Sequence, residues 1–274
     1  MMDACVVSGG GVRGVALLGA AGALQDLGFL GRCRTFVGTS SGALVCTVLA
    51  TGGDPRGVME RIARSPYKPD FDLGGLAARM RFGLDTGRHF ESWVCGVVGR
   101  ARLTPKTTFE DVRRLHGSEL VVVATDVSAR KAVYFGPRTH PGMRVVKALR
   151  MSCAVPILFS AVEWRGRVYA DGALVDNFAL QHAVSALGSR RPLGICATKG
   201  ERDVTSEHSS LDAYMASLID CVTHAYRSPV PASATVLDVD AGGLSMSMSP
   251  GEAAVRELYA SGQSQARLFA KKIV

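Results

Sequence analysis

The sequence has no C-x-x-C pair and no closely spaced cysteines. Its seven cysteines (Cys5, Cys33, Cys46, Cys95, Cys153, Cys196 and Cys221) are odd in number and mostly sit in apolar runs. This excludes a disulfide framework and a cysteine-based zinc site, and reads as small core residues in a reducing, cytoplasmic compartment. A signal peptide is not expected, because acidic Asp3 stands where one would carry positive charge and strand-like sequence follows at once. Residues 35–53 carry no charge and approach membrane-spanning length, yet glycines and a Ser/Thr run interrupt them, so no transmembrane helix is expected. Internal repeats, linkers and low-complexity tails are also missing, so residues 1–274 read as a single domain. The net charge is +8, but the arginine clusters (Arg100 and Arg102, Arg113 and Arg114, Arg190 and Arg191) are scattered and lack interleaved aromatics. Nucleic acid is therefore not an expected partner. A basic soluble surface, an anionic membrane surface or a phosphate-bearing substrate all fit.

What is present is an alternation of short apolar strands and helices. Ala4 to Ser8 reads as a buried strand, followed by the loop Gly9-Gly10-Gly11-Val12-Arg13-Gly14 and a helix to Leu27. A second strand, Thr35 to Val37, leads into Gly38-Thr39-Ser40-Ser41-Gly42 and a small-residue helix to Ala50. Asp54 and Pro55 read as the N-cap and first residue of the next helix. Leu120 to Ala124 is a central strand with Ala132 to Phe135 beside it. A helix from Arg144 to Arg150 comes next, then a hairpin about Arg165-Gly166 that runs into Asp171-Gly172-Ala173. Further elements are expected as a helix over Phe178 to Leu187, a strand over Leu193 to Ala197, a helix over Leu211 to Tyr226, a strand over Thr235 to Val239, and a final helix to about Ala270. Capping boxes are expected at Thr107 with Glu110 and at Ser249 with Glu252. Residues 66–104 read as short amphipathic helices joined at glycines, either a lid or lipid-contacting surface or ordinary peripheral packing.

Two glycine motifs can carry chemistry. A serine between Gly38 and Gly42 at a strand-to-helix corner fits a nucleophile elbow, with Ser40 at the positive end of the following helix. The Gly9–Gly14 loop fits a dinucleotide fingerprint. However, the second strand ends at Ser40 rather than at a ribose-binding acid, and only Arg32 and Arg34 could answer a 2′-phosphate. The same loop also fits an oxyanion hole or a tight turn, with Arg13 as a surface charge, a steadying group or an attractor for an anionic head group. Ser40 needs a base. His182, His208 and His224 stand late in the chain, while Asp171, at a strand end followed by Gly172, is better placed.

Three ordered motifs, Gly9–Gly14, Gly38–Gly42 and Asp171–Ala173, make the chain resemble the patatin-like phospholipases. Met151–Pro156, Val175–Asn177, Ala124–Asp126 and Leu258–Gly262 are similar to family members as well, so the resemblance covers nearly the whole chain, with its motif-bearing part at about 4–185. It implies a three-layer α/β/α fold with a mostly parallel central sheet. It also implies Ser40 as nucleophile, Asp171 as sole general base, and Gly9, Gly10, Gly11, Val12, Arg13 and Gly14 as the oxyanion loop. Gly38 and Gly42 are then the elbow glycines, and Gly172 and Ala173 complete the aspartate motif. No metal and no cofactor are implied. The expected activity is calcium-independent hydrolysis of phospholipid, lysophospholipid or other acyl-ester lipid at a membrane surface, through an acyl-enzyme. An NADP-binding reductase and a lipid-binding scaffold without turnover are the competing readings.

Overall fold

The first seven residues already show the rule that organises the molecule: β1 (Ala4–Val7) is apolar at every position because both faces of its sheet are covered. The structure is a computed structural model that describes residues 2–68, 83–99, 102–198, 218, 221–222, 229–241 and 250–273. In chain order, β1 is followed by α1 (Gly14–Asp26), β2 (Thr35–Thr39), α2 (Ser41–Ala50), α3 (Pro55–Arg64), β3 (Gly83–Asp85) and α4 (Phe90–Val98). Next come α5 (Phe109–His116), β4 (Glu119–Asp126), β5 (Lys131–Phe135), α6 (Val145–Ser152), β6 (Ile157–Phe159), β7 (Val162–Trp164) and β8 (Arg167–Asp171). The remaining elements are α7 (Leu180–Ser185), β9 (Pro192–Thr198), β10 (Thr235–Asp240) and α8 (Glu252–Ile273).

The main sheet runs β10–β9–β1–β2–β4–β8–β7, with β5 on the other edge of β4. Its first five strands are mutually parallel, while β5, β7 and β8 join antiparallel. Alternate residues of each strand enter different cores. Cys5, Val7, Leu120 and Val122 pack in the larger cluster with α1 and α2, whereas Val6, Val37, Val121 and Val123 pack with Phe178, Leu180 and Ala183. The result is the expected three-layer α/β/α arrangement about a mostly parallel sheet. β3 and β6 form a separate parallel pair that sequence periodicity did not suggest.

Asp54 caps α3 as expected, its carboxylate accepting the N–H groups of Arg56 and Gly57 at 3.0 and 2.9 Å. The hairpin turn is also where expected, with Arg165 and Gly166 at φ of 50° and 72°. The capping box of α5 is a correction: Thr108 and Asp111 form it, not Thr107 and Glu110. A bridge between Thr108 and Arg144 holds Thr108 extended, while the Thr107 hydroxyl accepts the Thr104 N–H. The expected Leu211–Tyr226 helix and the Ser249 cap lie almost wholly outside the described residues. Among the described residues, no helix is long and apolar enough to cross a membrane.

Candidate active site

One edge of β4 brings the two principal residues together. Along that edge β2 runs parallel as far as Thr39, which sits opposite Val123. On the same edge β8 runs the other way and ends with Asp171 opposite Ala124. The two strand ends thus meet head-on over adjacent β4 residues, and the chain that leaves β2 delivers Ser40 to the Asp171 side chain. The Ser40 Oγ donates to Asp171 Oδ2 at 2.7 Å.

Local sterics set the serine's conformation. Ser40 has φ 51° and ψ −126°, a strained combination for a residue with a side chain, and it directly precedes α2. The bend brings α2 so close to β1 that a Cβ on Gly42 would overlap the Val7 and Ser8 carbonyls. A further contact holds the corner: the Ser40 N–H donates to Ser152 Oγ at 2.8 Å. Ser152 lies in the stretch preceding the aspartate motif, but its type and spacing carried no signal for this role.

Asp171 is 2% exposed. Its Oδ1 accepts the Ala173 N–H at 2.9 Å, so both carboxylate oxygens are satisfied. Burial pushes its pKa up to about 7, against the smaller opposing effects of the Ala173 amide and the Ser40 hydroxyl. Such a carboxylate is a far better proton acceptor near neutrality than an exposed aspartate.

The glycine loop lies against the same corner. Within it the Gly9 N–H donates to the Asn177 carbonyl, the Gly10 N–H to Ser41 Oγ at 3.1 Å, and the Arg13 N–H to the Gly10 carbonyl. The Gly14 N–H turns back to Gly11 and Val12. Arg13 also donates through Nε to the Gly10 carbonyl at 3.2 Å, which braces the turn. Four of the six loop amides are therefore engaged inside the protein. Among the described residues no bond engages the amides of Gly11 and Val12, and these two residues line the cavity that Ser40 opens on.

That cavity, about 210 Å³, runs between α1, α2, α3 and α4. Apart from Ser40 and Ser41 its walls are nearly all apolar, as an alkyl chain requires and a pyrophosphate does not. Tyr67, Phe90 and Trp93, from the part of 66–104 that the structure describes, form part of the wall. Residues 69–82, 100 and 101 of that region lie outside the described residues.

Of the late histidines, His182 takes no part in this geometry. His182 stacks on Tyr134 with ring centres 3.5 Å apart, and the Tyr134 hydroxyl donates to Asp176 at 2.8 Å. His208 and His224 lie outside the described residues. Among the described residues no group of three or more His, Cys, Asp or Glu side chains is arranged to hold a metal ion.

A family model described as patatin-like phospholipase matches residues 5–184. The chain belongs to the patatin-like phospholipase family. All three glycine-bearing motifs fall inside the matched span. Among related sequences, a protein of invertebrate iridescent virus 6 named as a probable lipid hydrolase is 27% identical over 182 residues. That match takes in 65% of this chain and 62% of the viral protein. An uncharacterised Bacillus subtilis protein, YqhO, is 28% identical over 220 residues, 72% of each chain. Among solved structures, VipD from Legionella pneumophila superposes with a TM-score of 0.66 at 16% identity, over 99% of this chain and 67% of VipD. At that identity the likeness speaks for a patatin-like fold alone.

Proposed function

We propose that this patatin-like chain is a serine carboxylic-ester hydrolase that cleaves fatty-acyl esters of lipids through a Ser–Asp dyad. The observation that carries the reading is the 2.7 Å hydrogen bond from Ser40 to the buried Asp171 carboxylate, at the mouth of an apolar cavity. Ser40 Oγ attacks the ester carbonyl carbon as its proton passes to Asp171. The carbonyl oxygen becomes an alkoxide, held by the Gly11 and Val12 amides and favoured by the N-terminus of α2. Collapse expels the glycerol-side alcohol, which takes the proton from Asp171 and leaves an acyl ester on Ser40. A water then gives its proton to Asp171 and attacks that ester, and the released Ser40 oxygen takes the proton back. No step uses calcium. The family match and the name of the viral relative both favour a lipid substrate; that it is met at a membrane surface is part of the proposal.

The test is active-site labelling with an alkyl fluorophosphonate, read by peptide mass spectrometry, together with a profile of fatty acids released from phospholipid, lysophospholipid and neutral-lipid vesicles. Label on Ser40, and release that Ser40→Ala abolishes and a calcium chelator leaves intact, is the expected result. An unlabelled Ser40 in a protein that binds lipid without turnover ends the reading in favour of a lipid-binding scaffold.

A further inference from the structure

Asp85 is fully buried, yet nothing in the dyad chemistry uses it. Its Oδ1 accepts the Gly87 N–H at 2.7 Å and its Oδ2 accepts the Tyr67 hydroxyl at 2.7 Å. The backbone around it is tied down as well, since the Ser160 N–H donates to the Asp85 carbonyl at 2.8 Å and β3 pairs with β6. A buried carboxylate held this way is costly unless its bonds are made, so it holds the tyrosine hydroxyl in one place. The ring of Tyr67 is fixed by its neighbours too. It packs edge-on to Phe90 and Trp93, with centroids 5.8 and 5.4 Å away, and tilted against Phe159 at 5.7 Å.

These four rings are cavity wall. The other wall follows α2 away from the nucleophile, through Ser41, Leu44, Val45 and Val48. The seven residue steps from Ser41 to Val48 cover roughly 10 Å of helix. An acyl chain whose carbonyl sits at Ser40 would lie along α2 with its tail facing the aromatic wall. An aliphatic wall has many rotamers, but a tyrosine anchored at both ring and hydroxyl has one.

We infer that Tyr67, pinned by Asp85, is the residue that sets acyl-chain length in this pocket. Tyr67 would touch the chain, and Asp85 is a positioning residue that acts through it. The inference rests on the reading of the cavity as the acyl site.

The experiment measures kcat and KM for p-nitrophenyl esters from butyryl to palmitoyl with wild type, Tyr67→Leu, Tyr67→Trp, Tyr67→Phe and Asp85→Asn. Free fatty acids of the same lengths are titrated in parallel by calorimetry. Tyr67→Leu is expected to move the optimum to longer chains and Tyr67→Trp to shorter ones, each changing the long-to-short ratio of kcat/KM about tenfold. General destabilisation cannot move the optimum in two directions. Asp85→Asn is expected to flatten the length profile through KM, with kcat on the shortest ester kept, and to add nothing in a Tyr67→Phe background. A length profile that stays put in both Tyr67→Leu and Tyr67→Trp overturns the inference while leaving hydrolysis at Ser40 standing. A wild type that cleaves no ester removes the catalytic reading instead. The fatty-acid affinities then decide on Tyr67 by themselves, moving in opposite directions with length in the two variants or not at all.

Discussion

The hydroxyl of Ser152 stands between the backbone of Ser40 and the central sheet, accepting the Ser40 N–H at 2.8 Å and donating to the Val123 carbonyl at 2.5 Å. Ser152 is fully buried at the end of α6, so no solvent can replace it. The strained backbone of Ser40 thus depends on a hydroxyl 112 residues away.

Ser152→Ala leaves two buried backbone groups without a partner. It is expected to lower unfolding free energy by about 1–3 kcal/mol and to reduce kcat more than it changes KM. Thermal or denaturant unfolding, with kinetics at a temperature where the variant is fully folded, checks this. Unchanged stability and unchanged kcat together would falsify the strut.

Asp171 gives a pH dependence with a defined sign. As the proposed base it must be ionised, so kcat/KM on an uncharged ester should rise as pH increases through about 7 and level off above it. Stability runs the other way. The folded state keeps the Asp171 proton between the ordinary carboxylate range and about 7, where the unfolded chain has lost it, so this group lowers stability as pH rises through that window. Asp171→Asn should cost at least ~100-fold in kcat yet raise the melting temperature relative to wild type, more above neutrality than in mildly acidic buffer. A variant with near-full activity would return attention to the histidines.

Ser41 holds the loop rather than the substrate's reacting atoms, through the bond from the Gly10 N–H. Ser41→Ala should lower kcat about tenfold, less than the ~100- to 1,000-fold typical of losing an oxyanion donor itself, with KM for a short ester nearly unchanged. Steady-state kinetics on one soluble ester suffice, and a pure KM effect would contradict the assignment.

At Gly42 an added methyl would meet the Val7 and Ser8 carbonyls, backbone atoms that cannot swing aside. Gly42→Ala is therefore expected to cost about 1–3 kcal/mol or more and to separate β1 from α2. Loss of both soluble yield and fluorophosphonate labelling is the expected outcome, and normal stability would show the corner to be looser than its geometry.

His182→Ala should retain esterase activity within about twofold, because its ring stacks on Tyr134 and no hydrogen bond joins it to Asp171. A large loss of kcat at unchanged stability would count against a base made of Asp171 alone.

The sequence determined whatever local sterics and burial control. Continuous apolar runs became the parallel strands β1, β2 and β4 because a strand covered on both faces has no polar side to show. Gly42 had to lack a side chain at the corner that bears Ser40, and Asp54 had to cap α3, since each answers to neighbours a few residues away or to a backbone it touches. The Asp171-Gly172-Ala173 motif at a strand end already marked the acid in the sequence, but only the tertiary structure decided how it meets Ser40. Asp171 is 131 residues distant, and it arrives through the register of two strands that abut along one edge of β4, which no local pattern encodes. Tertiary contacts also moved the α5 cap from Thr107 to Thr108, engaged four of the six loop amides, and joined Tyr67 to a buried Asp85. Each of these is a choice among groups of similar propensity. Such choices are made by packing and by the need to satisfy buried polar atoms, which arise only once distant segments share a core.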